Sequence, residues 1–132
     1  MKKTHALNKN KGFTLLEMLI VLGIIAVILS VLTVSFSTTQ KKSRDAKRKG
    51  DIKSIQNSLE QYYSSCSFNY PTGTLPTGTP LKCGTDNFIT SIPVDPKTGA
   101  GYTYTPVGTA SFSICGTLEA ETPTSYCLSN QQ

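Results

Sequence analysis

The chain has 132 residues, with 13 Lys and Arg against 8 Asp and Glu, and a formal net charge of +5 at pH 7. One histidine, His5, and four cysteines with no Cys-x-x-Cys pair argue against a zinc centre, and leave Ser/His or Cys/His catalysis without a base beyond residue 5. No Gly-rich phosphate cradle follows a strand-like run, so the composition points to neither an enzyme nor a resident cofactor.

Residues 1–12 are polar and carry Lys2, Lys3, Lys9 and Lys11 with no acid, the pattern of a cytoplasmic leader. Residues 13–36 form an apolar run without proline, and its one charged side chain is Glu17. At about 1.5 Å per residue this helix reaches roughly 36 Å, enough to cross a bilayer. A secretory signal peptide has a shorter apolar region, about 7 to 15 residues, and the cleavage candidates around Thr33 to Ser37 are weak. A carboxylate in hydrocarbon costs several kcal/mol, roughly 3 on insertion scales, and is kept where a partner or a function needs it. Snorkelling of a boundary acid to water is the plainer alternative for Glu17.

Lys11-Gly12-Phe13-Thr14-Leu15-Leu16-Glu17-Met18-Leu19-Ile20-Val21 resembles the leader junction and transmembrane start of type IV pilins and type II secretion pseudopilins. The resemblance implies that a prepilin peptidase cuts between Gly12 and Phe13 and methylates the new amine. Glu17 then becomes the acid at position five of the mature chain, set to pair with the Phe13 amine of another copy during assembly. Many family members carry a proline well inside the apolar run, where this chain has Val34. The implied partners are further copies in a filament, the peptidase, an assembly platform and a membrane, with the C-terminal part outside the cytoplasm.

Loss of residues 1–12 removes four of the 13 basic side chains, leaving nine against eight acids, so the mature charge is close to neutral. Residues 41–53 concentrate Lys41, Lys42, Arg44, Lys47, Arg48, Lys49 and Lys53 against Asp45 and Asp51. At 100° per residue these basic side chains surround a helix, which favours a solvated or headgroup-contacting collar. A phosphate track that binds DNA on the filament surface is the rival, and predicts affinity that falls steeply with salt. Taken alone, the positive-inside rule would place the C-terminal part in the cytoplasm. The four cysteines argue for an oxidising compartment, and the resemblance to pilins implies a cytoplasmic leader, which together give the opposite orientation.

No proline interrupts the helical pattern before Ser64, and Ile52, Ile55, Leu59, Tyr62 and Tyr63 fall within an arc of roughly 100°. One helix from Phe13 to about Tyr63 is therefore expected, apolar over 13–37 and amphipathic over 38–64, with Ser54, Asn57, Ser58 and Gln61 off the packed face. Residues 64–87, rich in Pro, Gly, Thr and Ser, read as loop. Cys66 and Cys83 stand near its ends, and a disulfide between them is the simplest way to tie it down.

Strands are predicted at Phe88 to Ile92, Tyr102 to Val107, Ser111 to Leu118 and Ser125 to Leu128, forming a small antiparallel sheet within a headgroup over 65–132. Cys115 and Cys127 lie on the last two, so Cys66 with Cys83 and Cys115 with Cys127 is the economical pairing of the three connectivities possible. Ile92-Pro93-Val94-Asp95-Pro96 followed by Tyr102-Thr103-Tyr104 also resembles the C-terminal region of pseudopilins and related pilins. Asp95 either shapes its turn or binds calcium through it, as loops of some pseudopilins do.

The expected molecule is an α+β subunit of a pilus or pseudopilus, serving attachment, motility, DNA uptake or secretion. The alternative from another class is a monomeric, membrane-tethered binding module whose loop 64–87 contacts a ligand.

Overall fold

The structure, a computed structural model, describes residues 12–132; residues 1–11, with the leader lysines and His5, lie outside the described residues. The chain divides into two units, Met1–Ser37 and Thr38–Gln132. The element order is α1 (Leu15–Ser65), β1 (Leu81–Cys83), β2 (Asp86–Ile89), β3 (Thr103–Val107), β4 (Ser111–Thr117) and β5 (Ser125–Ser129). This is the α+β arrangement of a pilin, a long N-terminal helix with antiparallel sheets.

In the first unit every described residue from Gly12 to Val31 is exposed. A helix apolar on all sides is suited to lipid or to the flanks of further helices, because water on every face would forfeit its burial free energy. Among the described residues no single helical stretch is long and apolar enough to cross a membrane by itself, while Leu15–Val31 and Phe36–Ser65 together meet that measure.

In the second unit α1 turns Ile52, Ile55 and Leu59 into a core completed by Tyr70, Leu81, Ile92, Tyr104, Phe112 and Ile114. Tyr62 and Tyr63 pack at its margin. The period of 3.6 that brings Ile52, Ile55 and Leu59 together also buries Gln56 and Ser58, which flank them. Ser58, expected off the packed face, returns its hydroxyl to the Ser54 carbonyl at 2.9 Å and so enters the interior with its polarity satisfied. After Ser65 the helix closes on residues in the left-handed region, Ser67 and Phe68 (φ 55° each), and the Phe68 N–H donates to the Tyr63 carbonyl at 3.1 Å.

The sheet prediction needs two corrections. The strand expected at Phe88 to Ile92 is β2, which begins at Asp86 and ends at Ile89, and its partner β1 lies in the stretch read as loop. Three residues are too few to show a period of two, and the reversal rests on Gly84 at φ +60°. Ile92 is buried outside any strand, held by Ile92 N to Thr79 O at 2.8 Å and Gly78 N to Ile92 O at 3.0 Å. The strands also form two sheets rather than one, a β1-β2 hairpin and a β3-β4-β5 meander.

In the meander the alternation of β4 directs Phe112, Ile114 and Gly116 to one face. Gly116 is small for a reason. A Cβ there would stand 2.7 Å from the Ile52 δ-methyl and 3.1 Å from the Tyr102 ring. Helix and sheet approach so closely at this point that only hydrogen fits between them.

Candidate functional site

Gly12, Phe13 and Thr14 precede the first turn of α1 in non-helical backbone. Thr14 caps the helix: its Oγ1 accepts from the Glu17 N–H at 3.2 Å, and its carbonyl takes the same amide at 3.1 Å. This is half of the Thr-x-x-Glu capping box, a signal that the spacing of Thr14 and Glu17 carries in the bare sequence. Glu17 thus stands in the first helical turn, where the partial positive charge of the free N–H groups favours an anion. It is exposed, and among the described residues no ion pair reaches its carboxylate. Phe13 is 76% exposed, and a side chain on Gly12 would meet no atom within 4 Å. A side chain at position 12 would therefore be accommodated by the described part of the fold.

Phe13 and Glu17 belong to the first unit; the four cysteines belong to the second. Cys66 is joined to Cys83 and Cys115 to Cys127. The first bond ties the end of α1 to β1, and the second joins directly opposed residues of β4 and β5. Loops closed over separations of 17 and 12 residues each contribute about 3 kcal/mol in the chain-entropy account.

The basic stretch over residues 41–53 is only in part the solvated or headgroup-contacting collar expected from the helical projection, because its arginines turn into the headgroup. Arg48 is buried and bonds three carboxylates: Asp95 through Nε (2.5 Å) and Nη2 (3.2 Å), Asp45 through Nη1 (2.7 Å) and Glu119 through Nη2 (2.7 Å). Arg44 binds Glu119 in two-point fashion at 2.9 and 2.7 Å, and Lys97 adds a third cation at 3.1 Å from Glu119. Three cations thus balance three anions. Lys49 pairs with Glu121, and Lys53 donates to Gln56 at 2.8 Å. Lys41, Lys42 and Lys47 remain exposed and form no ion pair among the described residues. The planar guanidinium, with its fork of donors, suits a site where several carboxylates converge.

Asp45 also receives the backbone amides of Glu119 (2.8 and 3.0 Å) and Ala120 (2.7 Å). Burial pushes its carboxyl upward, but those amides and Arg48 outweigh it and hold the group below the usual carboxylate range. Hydrogen bonding by Arg48 holds Asp95 far below that range, and Arg44 does the same for Glu119. The bonds from Asp95 and Glu119 raise the Arg48 guanidinium against the cost of burying it.

Asp95 shapes its turn, accepting the amides of Lys97 (2.9 Å) and Thr98 (2.8 Å) at Oδ1. Both of its oxygens also face Arg48. The cluster fastens the loops after Ile92 and after Leu118 to α1. A half-open cavity of about 300 Å³ lies over it, lined by Arg48, Asp95, Tyr102, Thr103, Gly116 and Glu119. Its charged groups already satisfy one another, which makes the arrangement one of structural fastening.

Comparison with known proteins agrees with the processing motif. Residues 7–33 match the family model described as the prokaryotic N-terminal methylation motif. Over 102 residues the chain is 31% identical to the type II secretion system core protein G of Escherichia coli (strain K12), covering 70% of each protein. Over 111 residues it is 29% identical to the protein of the same name from Pseudomonas aeruginosa, covering 76% of this chain and 77% of the relative. No solved structure matches it.

Proposed function

As this chain belongs to the pilin and pseudopilin family, we propose that it is a structural subunit of a type II secretion-like pseudopilus. In this reading residues 1–12 are a leader that a prepilin peptidase removes between Gly12 and Phe13, methylating the Phe13 amine. Residues 13–37 anchor the subunit in the cytoplasmic membrane and later line the filament core, and residues 38–132 lie outside. The type II secretion role carried in the names of both relatives favours secretion over motility, attachment or DNA uptake.

The observation that carries the proposal is Glu17, an acid in the capped first turn of a helix that is otherwise uncharged from Leu15 to Val31. After cleavage the nearest cation is the new amine of Phe13. Within one chain that amine sits at the mouth of the same helix and points along its axis. A copy shifted lengthwise by a few residues brings its own amine beside the Glu17 carboxylate. In a medium of low polarity the pairing is favourable for every copy added, because each unpaired partner is costly. Assembly is thereby coupled to leader removal, since the uncut chain has no amine at residue 13.

The direct test substitutes Glu17→Val and measures the filament recovered by shearing and sedimentation. The expected outcome is processed protein that remains in the membrane with filament yield reduced at least tenfold. Undiminished assembly would contradict the proposed role of the carboxylate.

A further inference from the structure

We propose that Lys41 and Lys42 seat the subunit on anionic phospholipid headgroups at the outer face of the membrane that holds its apolar helix. This rests on the reading above that residues 13–36 lie in a bilayer.

The seven basic side chains between residues 41 and 53 fall into two groups by their partners. Arg44, Arg48, Lys49 and Lys53 have protein partners, whereas Lys41, Lys42 and Lys47 are exposed and form no ion pair among the described residues. Lys41 and Lys42 follow Phe36, the end of the apolar run, by five and six residues. That is a rise of roughly 8 to 9 Å along a helix. Each headgroup layer is about 5 to 8 Å thick, and a lysine stem can reach back toward it along apolar surface. Lys47 stands 11 residues beyond Phe36, roughly 16 Å, and lies past that layer.

A neighbouring copy is the competing partner, and the acids of the chain argue against it. Asp45, Asp95, Glu119 and Glu121 are ion-paired within their own chain. Asp51 accepts from the Tyr102 hydroxyl at 2.8 Å, and Glu60 accepts from the Tyr70 hydroxyl at 3.0 Å and the Gln131 amide at 2.9 Å. Glu17 lies within the apolar run. Of the eight acids, Asp51, Glu60 and Asp86 have no ion pair among the described residues; the first two are already engaged by hydroxyl and amide donors, and Asp86 sits at the tight reversal between β1 and β2. A lipid surface offers phosphates in excess, at the level where the helix places these amines.

The experiment reconstitutes the full chain into nanodiscs of phosphatidylcholine alone or of phosphatidylcholine with one quarter phosphatidylglycerol. A water-soluble acylating reagent then labels the lysines, and mass spectrometry reads the rate at each. Lys41 and Lys42 should label about fivefold more slowly on the anionic discs, with the difference abolished at high salt and Lys47 unaffected. Equal rates at Lys41 and Lys42 on the two lipids overturn the proposal while leaving the pseudopilus reading intact, as does equal slowing at Lys47, which marks a general surface effect. Slowing on neutral discs by added inorganic phosphate also overturns it, because the site then takes free phosphate. A chain that fails to enter either disc removes the bilayer reading and this proposal together.

Discussion

Arg48 and Asp95, 47 residues apart in sequence, meet through two hydrogen bonds of 2.5 and 3.2 Å inside a cluster that also holds Asp45 and Glu119. Arg48 is 2% exposed, and its guanidinium is the hub on which two loops of the headgroup converge with α1. Removing one partner of a buried ionic cluster costs more than the cluster itself contributes, because the remaining charges lose their compensation. Arg48→Met should therefore lower the unfolding free energy of the headgroup by about 3 kcal/mol. Arg48→Lys should recover only part of it, since an ammonium cannot reach three carboxylates in one plane. Urea unfolding followed by near-ultraviolet circular dichroism of the tyrosines measures both.

The same cluster sets a pH response. Asp45, Asp95 and Glu119 are all held below their ordinary values of 3.8 for Asp and 4.5 for Glu. The unfolded chain accordingly binds protons at a higher pH than the folded chain, so the contribution is complete above that range and disappears as pH falls through and below it. The urea midpoint should be nearly level from pH 7 to about pH 5 and decline progressively below about pH 4. Asp95→Asn should flatten the decline. A midpoint that is unchanged down to pH 2 would remove these carboxylates from the stability of the headgroup.

Gly116 and Ile52 give a steric test that is independent of charge. A methyl group at residue 116 would be caught between the Ile52 δ-methyl at 2.7 Å and the Tyr102 ring at 3.1 Å, and both side chains would have to shift within a packed core to admit it. Gly116→Ala should cost about 1 to 2 kcal/mol. Ile52→Val removes the offending methyl, so the double variant should be more stable than the sum of the two single losses predicts. Thermal unfolding of the four proteins in the cycle reads the coupling, and strict additivity would show that the two residues do not compete for the space.

How far the sequence was legible follows from the range of each signal. The junction from Gly12 to Glu17 is local, and its chemistry could be read without a fold. The stripe of Ile52, Ile55 and Leu59 was legible because a period of 3.6 needs only neighbouring turns. Arg44 and Arg48 were not, because apart from Asp45 their partners lie 47 to 75 residues away and a helical projection treats every basic side chain as equivalent. A signal was present: Arg rather than Lys at 44 and 48, four residues apart and in line with Ile52, is the residue type suited to converging carboxylates. β1 was lost for another reason, since Leu81–Cys83 is set by its pairing with β2 and by the turn at Gly84 rather than by any periodicity of its own.

Leader removal is the event that creates the amine for Glu17, and the mass of the assembled subunit reports on it directly. Intact-mass spectrometry of the chain recovered from a sheared, sedimentable filament fraction should give residues 13–132 carrying one methyl group and two disulfides. A filament built from chains that retain residues 1–12, or a processed chain found in the membrane with none in the sedimented fraction, would contradict the account.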